Sequence, residues 1–113
     1  MDGYMGEMRW VAFRSTPPGW MPCEGQILKI DAHMALFSLL GNTYGGDGRA
    51  TFALPNLPGR TLIGAGYARN LEPREFGRSI GEAGPDDLTG AMQPVLTLRC
   101  LICTAGMYPT KER

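Results

Sequence analysis

The sequence predicts an α+β fold: a small antiparallel sheet, one short helix, and long loops rich in glycine and proline. Three observations predict it. Sixteen glycines and nine prolines are spread over 113 residues without the strict period of collagen, which implies many turns and short elements. Only one stretch, Ala35–Leu40, carries apolar residues at helical spacing. The most apolar extended run, Val95–Cys103, is followed by Gly106-Met107-Tyr108-Pro109 and a polar tail, and reads as a strand.

The elements follow in order. Glu7–Phe13 is short, holds Trp10, Val11 and Phe13, and stops at Ser15-Thr16-Pro17-Pro18-Gly19, a strand followed by a turn. Trp20–Cys23 is a second apolar piece, cut off by Glu24-Gly25, and Gln26–Ile30 is a short strand. Asp31 is the expected N-cap of the helix, because its carboxylate can accept a free N–H of the first turn. Leu36, Phe37, Leu39 and Leu40 then share one broad face, and Gly41-Asn42 ends the helix. Thr43–Gly48 is a loop. Phe52–Pro55 is extended, with Pro55 and Pro58 excluding a central strand. Arg60–Ile63 reads as a short strand before Gly64-Ala65-Gly66, and 67–91 as a surface loop. Trp10, Trp20 and Phe37 lie in elements expected to face the core. The length fits one domain, 1–113, able to bury a modest core.

Composition narrows the function classes. Hydrophobic residues at 43% and charged residues at 19% are globular, not disordered, proportions. Eleven basic and eleven acidic residues cancel, which argues against nucleic-acid binding, where a basic surface displaces counterions. No apolar run is long enough to span a bilayer. The start, Met1-Asp2-Gly3-Tyr4-Met5-Gly6-Glu7, has neither a basic nor an apolar signal region. A role outside the cell would therefore require release by lysis or a dedicated machine after cytoplasmic synthesis. Cys23, Cys100 and Cys103 are odd in number, so they do not close an intramolecular disulfide framework. Cys100-Leu101-Ile102-Cys103 has redox spacing, but its apolar centre reads as a buried strand with free thiols.

No constellation for catalysis emerges. His33 is the single histidine, no serine sits in a nucleophile-elbow context, and a Cys23–His33 pair is separated by a turn and a strand. Zinc would need more ligands than three cysteines and one histidine in these places supply, because Cys100 and Cys103 should face opposite sides of a strand. Asp47 in Gly45-Gly46-Asp47-Gly48 is a lone acid in a tight turn, not a calcium loop. The same glycines follow a helix and lack Gly-Lys-Ser/Thr, so they supply turns and not a phosphate cradle. No catalytic residue, metal or cofactor is expected. Tyr4, Tyr44 and Tyr67, in loops or near an end, either offer a ligand or partner surface or pack on their own domain.

Three blocks carry a family resemblance. The first is Met5–Arg9 with Pro18-Gly19-Trp20 and Cys23-Glu24-Gly25-Gln26. The second runs from Ala35 to Gly48 and includes Leu36, Leu40, Gly45, Gly46, Asp47 and Gly48. The third runs from Thr51 to Arg60 and includes Leu54, Pro55, Gly59 and Arg60. In this order and spacing they resemble the phage tail collar domain family, which includes the proteins called microcystin-dependent. Residues 92–109 also resemble its C-terminal segment. Members often carry a long variable region with a histidine pair before that segment. Here 67–91 is short and histidine-free, leaving the collar core.

The resemblance implies a tail-collar-like fold and a non-enzymatic structural subunit of a phage-tail-like, fibre or pilus-like assembly. It implies a homo-oligomer in a virion or extracellular assembly, with other tail or fibre subunits as partners. The alternative function is an adhesin-like module for surface carbohydrate or another receptor. Self-association also has a residue-level argument. Val95–Cys103 is apolar on both faces, so it is either covered on one side by a neighbouring chain or central in its own sheet. The residues before Glu7 are expected to be free to pair with another subunit.

Overall fold

The computed structural model describes residues 1–66, 75–77 and 95–110. Most of 67–91, the expected surface loop, and Tyr67 within it lie outside the described residues. Among the described residues five strands and one α-helix follow in chain order: β1 (Met8–Val11), β2 (Trp20–Pro22), β3 (Ile27–Lys29), a 3₁₀ turn (Ile30–Ala32), α1 (Met34–Leu40), β4 (Thr51–Ala53) and β5 (Arg99–Cys103). They form two antiparallel sheets, ordered β1-β5-β2 and β3-β4. The fold is therefore the α+β class that the glycines, prolines and single helical pattern indicate.

The C-terminal strand is the centre of the larger sheet. β5 pairs with β1 from Met8↔Ile102 to Val11↔Arg99, and with β2 from Trp20↔Cys103 to Pro22↔Leu101. Alternation along β5 sends Cys100 and Ile102 to one face and Leu101 and Cys103 to the other. The first face joins the main core, with Cys23, Leu36, Phe52, Leu54 and Leu57. The second is covered by Val11 and Trp20. Leu101 and Cys103 are fully buried within their own chain. Of the two readings of this strand, central in its own sheet is the one observed, so its apolar faces do not require a neighbouring chain.

Several elements differ from expectation, each for a local reason. Asp31 is not the helix N-cap. The Ile30 N–H still bonds the Ala50 carbonyl, the His33 N–H closes a tight turn onto Ile30, and α1 begins only after His33, whose side chain makes no cap bond. Gly41 does end the helix, at φ +58°. Arg60–Ile63 is not a strand: Arg60 N–H bonds the Leu57 carbonyl in a turn centred on Pro58-Gly59, and Leu62 and Ile63 are exposed. Pro and a positive-φ glycine at those two positions are the preference of a type II turn. The C-terminal ladder starts at Arg99, not Val95, because its partner β1 ends at Val11. Val95, Leu96 and Leu98 are exposed.

Two more expectations fail. Trp10 shares the face of Met8 and Cys100 by register, but the main cluster does not extend to it, and it is 48% exposed. The residues before Glu7 are not free. Met5 N–H bonds the Met107 carbonyl, Gly6 N–H bonds the Cys103 carbonyl, and Met107 N–H bonds the Gly3 carbonyl. The N-terminal segment is thus sewn to the C-terminal segment of the same chain.

Candidate functional site

The second and third sequence blocks, with Cys23–Gln26 of the first, meet around the second sheet, while Met5–Arg9 and Pro18–Trp20 belong to the larger one. The helix docks through Leu36, 1% exposed, and through Phe37, whose ring meets that of Phe52 at 5.4 Å between centroids. Leu40 packs against the same core but is only half-buried. After β4 the chain runs as an arm. Leu54 N–H bonds the Gln26 carbonyl, Gly25 N–H the Pro55 carbonyl, and Leu57 N–H the Cys23 carbonyl. Leu54 and Leu57 flank Pro55 and are buried, which fixes the arm over the core. Gly25, at φ +76°, lets this pairing close: a Cβ there would sit 3.0 Å from the Asn56 Cβ.

The glycine-rich reversal between helix and arm is organised by one carboxylate. Asp47 Oδ1 accepts the N–H groups of Arg49, Ala50 and Thr51 at 2.8, 2.9 and 3.0 Å. The Asp47 N–H donates to Thr51 Oγ1. These backbone donors hold the Asp47 carboxyl down at about 2. Ala53 N–H bonds the Gly45 carbonyl and Gly48 N–H the Thr51 carbonyl, which brings the loop back onto β4. The Asp47 oxygen is spent on its own backbone, so its role here is architectural.

A second knot holds the larger sheet. The Gly19 carbonyl accepts the Thr104 and Ala105 N–H groups. Trp20 is buried, its indole N–H donates to the Met1 carbonyl at 2.8 Å, and the Arg9 guanidinium lies 5.1 Å over its ring. Arg9 also pairs with Glu7 at 2.7 Å, and that bond lowers the Glu7 carboxyl below its ordinary range. Cys23 and Cys100 are both buried, and burial raises both thiols.

The tyrosines diverge. Tyr4 is 55% exposed and bridges to Met107. Tyr44 is half-buried, and burial raises its phenol. Tyr108, not singled out from the sequence, is exposed and shares a 2.7 Å hydrogen bond with Ser38 on the helix. Arg99 was also not singled out. Its guanidinium reaches the carbonyls of Arg14 and Ser15 and the Thr16 hydroxyl. No local pattern signals a contact between segments 83 to 85 residues apart.

Among the described residues no group of three or more His, Cys, Asp or Glu side chains is arranged to hold a metal, and no helix is long and apolar enough to cross a membrane. The arrangement defines a small stapled α+β building block in which Glu7, Arg9, Asp47 and Arg99 hold the chain's own segments in place. The chain belongs to the phage tail collar family: the model of the Phage Tail Collar Domain matches residues 6–62. That match takes in β1, the helix, the Asp47 turn and the arm. Membership implies a structural, virion-associated role in a phage tail or tail fibre. No curated protein and no solved structure matches the chain.

Proposed function

We propose that the chain is a single-domain, non-enzymatic structural subunit of a phage-tail-like or fibre assembly, and that it self-associates. The observation that carries this reading is the collar match over residues 6–62. The way polar groups are used supports it. Asp47, Arg9, Glu7 and Arg99 all hold backbone or one another, as suits a rigid part. The surface supports association. β1 is an edge strand; Trp10 within it and Phe13, two residues past its end, are 48% and 43% exposed. An exposed edge with large apolar side chains favours pairing with another chain. Formal net charge is zero, so repulsion between copies is weak.

β5 is covered on both faces by its own chain and the N-terminus is tethered to the C-terminal segment, so the surface left for association is the β1 edge. Sedimentation velocity and negative-stain microscopy of the full chain test the proposal. Oligomers or filaments are expected, with Trp10→Lys shifting them toward monomer. A strictly monomeric chain at high concentration would overturn self-association.

One observation favours the second reading, an adhesin-like carbohydrate or receptor module. Tyr4 bridges to Met107, both are exposed, and Tyr108, next in the chain, is exposed as well; aromatic faces suit sugar stacking. A monomer that binds on a glycan array, and loses binding in Tyr108→Ala, would put this reading first.

A further inference from the structure

The β2–β5 ladder brings two of the three cysteines together. Its register runs Trp20↔Cys103, Met21↔Ile102, Pro22↔Leu101. One step further Cys23 stands opposite Cys100, and the Cys23 N–H donates to the Cys100 carbonyl at 3.0 Å. Opposed residues of an antiparallel pair share a face, and where such a hydrogen bond joins them the Cα atoms lie about 5.5 Å apart. That lies within the roughly 4.4–6.8 Å a disulfide spans. Both side chains belong to the main core cluster, whereas Cys103 lies on the other face of the sheet. We propose that Cys23 and Cys100 are an oxidisable dithiol that closes into an intrachain disulfide, stapling edge strand β2 to central strand β5 when the protein meets a low-molecular-weight disulfide.

The chemistry is thiol–disulfide exchange. Either thiol can begin the exchange with the same product, and Cys100 is taken as the first nucleophile. Its sulfur attacks the small disulfide and expels one small thiolate, giving a mixed disulfide. The Cys23 thiolate then attacks the Cys100 sulfur and expels the second. Two protein S–H bonds and one small S–S bond are lost. One protein S–S bond and two small S–H bonds are gained, so the protein is oxidised by two electrons and the small disulfide reduced by two. Burial raises both thiols and slows the first attack. Exchange therefore proceeds through fraying of β2, a three-residue edge strand. The bond would close a loop covering most of the chain, which constrains the unfolded state strongly.

The full chain is refolded with and without oxidised glutathione and examined by intact mass and non-reducing peptide mapping. Expected are a loss of about 2 Da, a linked Cys23–Cys100 peptide pair, a free Cys103, and a rise in melting temperature on the order of 10 °C that a reductant reverses. Cys103→Ala should keep the link and Cys23→Ala should abolish it. If Cys23→Ala fails to fold, the maps of the wild type and Cys103→Ala still decide. Three free thiols after oxidative refolding, a Cys100–Cys103 link, or a link between chains would each overturn the proposal.

Discussion

Gly46 lies directly against Phe52. A Cβ on the glycine would overlap the Phe52 Cα and fall 2.7 Å from the Thr51 carbonyl oxygen, and its φ is +87°. Close approach and left-handed backbone thus coincide where the loop folds back on β4, so no other residue fits. Gly46→Ala should cost roughly 2–4 kcal/mol from backbone strain plus overpacking. Gly64 is the control: its φ lies outside the positive region and, among the described residues, nothing lies within 4 Å of the position a Cβ would take. Gly64→Ala should stay within about 0.5 kcal/mol of wild type. Urea denaturation of both variants measures the contrast, and equal midpoints would refute the packing argument.

The helix face separates its leucines by depth. Leu36 is 1% exposed and sits among Cys23, Phe52 and Leu54, whereas Leu40 is half-buried at the helix end. Leu36→Ala should therefore cost about 2–5 kcal/mol, and Leu40→Ala clearly less. Thermal melts of the two variants rank them. The reverse order would mean that α1 docks through its last turn.

What the sequence made legible follows from how local each signal is. Leu36 and Phe37 belong to the only stretch with helical spacing, and Gly41 terminates it where it stands, so the helix was readable. Pro55 and Pro58 excluded a central strand, and the arm through Leu54 and Leu57 has the expected extended form. Asp31 misled because a side chain suited to capping says nothing about the 3₁₀ turn that the Ile30–Ala50 bond imposes first. Val95–Leu98 misled because apolar residues predict a strand only where a partner runs alongside, and β1 stops at Val11. Trp10 lies in an element expected to face the core, yet the cluster that takes in Met8 does not reach it. Arg99 and the Cys23–Cys100 pairing depend on residues far apart in the chain and left no local trace.

Asp47 predicts an acid-side loss of stability. Its carboxyl is lowered from 3.8 to about 2 by the N–H groups of Arg49, Ala50 and Thr51. A depressed folded-state pKa means the ionised group stabilises the fold. That contribution is full above the ordinary value of 3.8 and fades as pH falls through about 2. Asp47→Asn keeps an acceptor oxygen but loses the charge, so it should melt lower than wild type near neutral pH. The gap should narrow across that acidic window. Melting curves from pH 6 down to pH 2 test this, and a gap independent of pH would mean that the charge of Asp47 contributes nothing.

Arg99 predicts the behaviour of the loop after β1. Its guanidinium donates to the Arg14 and Ser15 carbonyls and to Thr16 Oγ1, the last at 2.8 Å. Segment 13–16 is otherwise exposed, so this fork is what anchors it to β5. Lysine keeps the charge but presents a single ammonium without the planar array of donors, and cannot serve the same spread of acceptors. Because Arg99 also begins the β5 ladder opposite Val11, its backbone pairing should survive the change. Arg99→Lys should leave the melting temperature nearly unchanged while loosening the loop. Hydrogen exchange of the peptide covering residues 12–17 should speed up several-fold, and trypsin should cut after Arg14 faster. Unchanged exchange and cleavage would show that the turn residues Pro17 and Pro18 hold the loop by themselves. A large fall in melting temperature would show instead that Arg99 supports the sheet and not the loop.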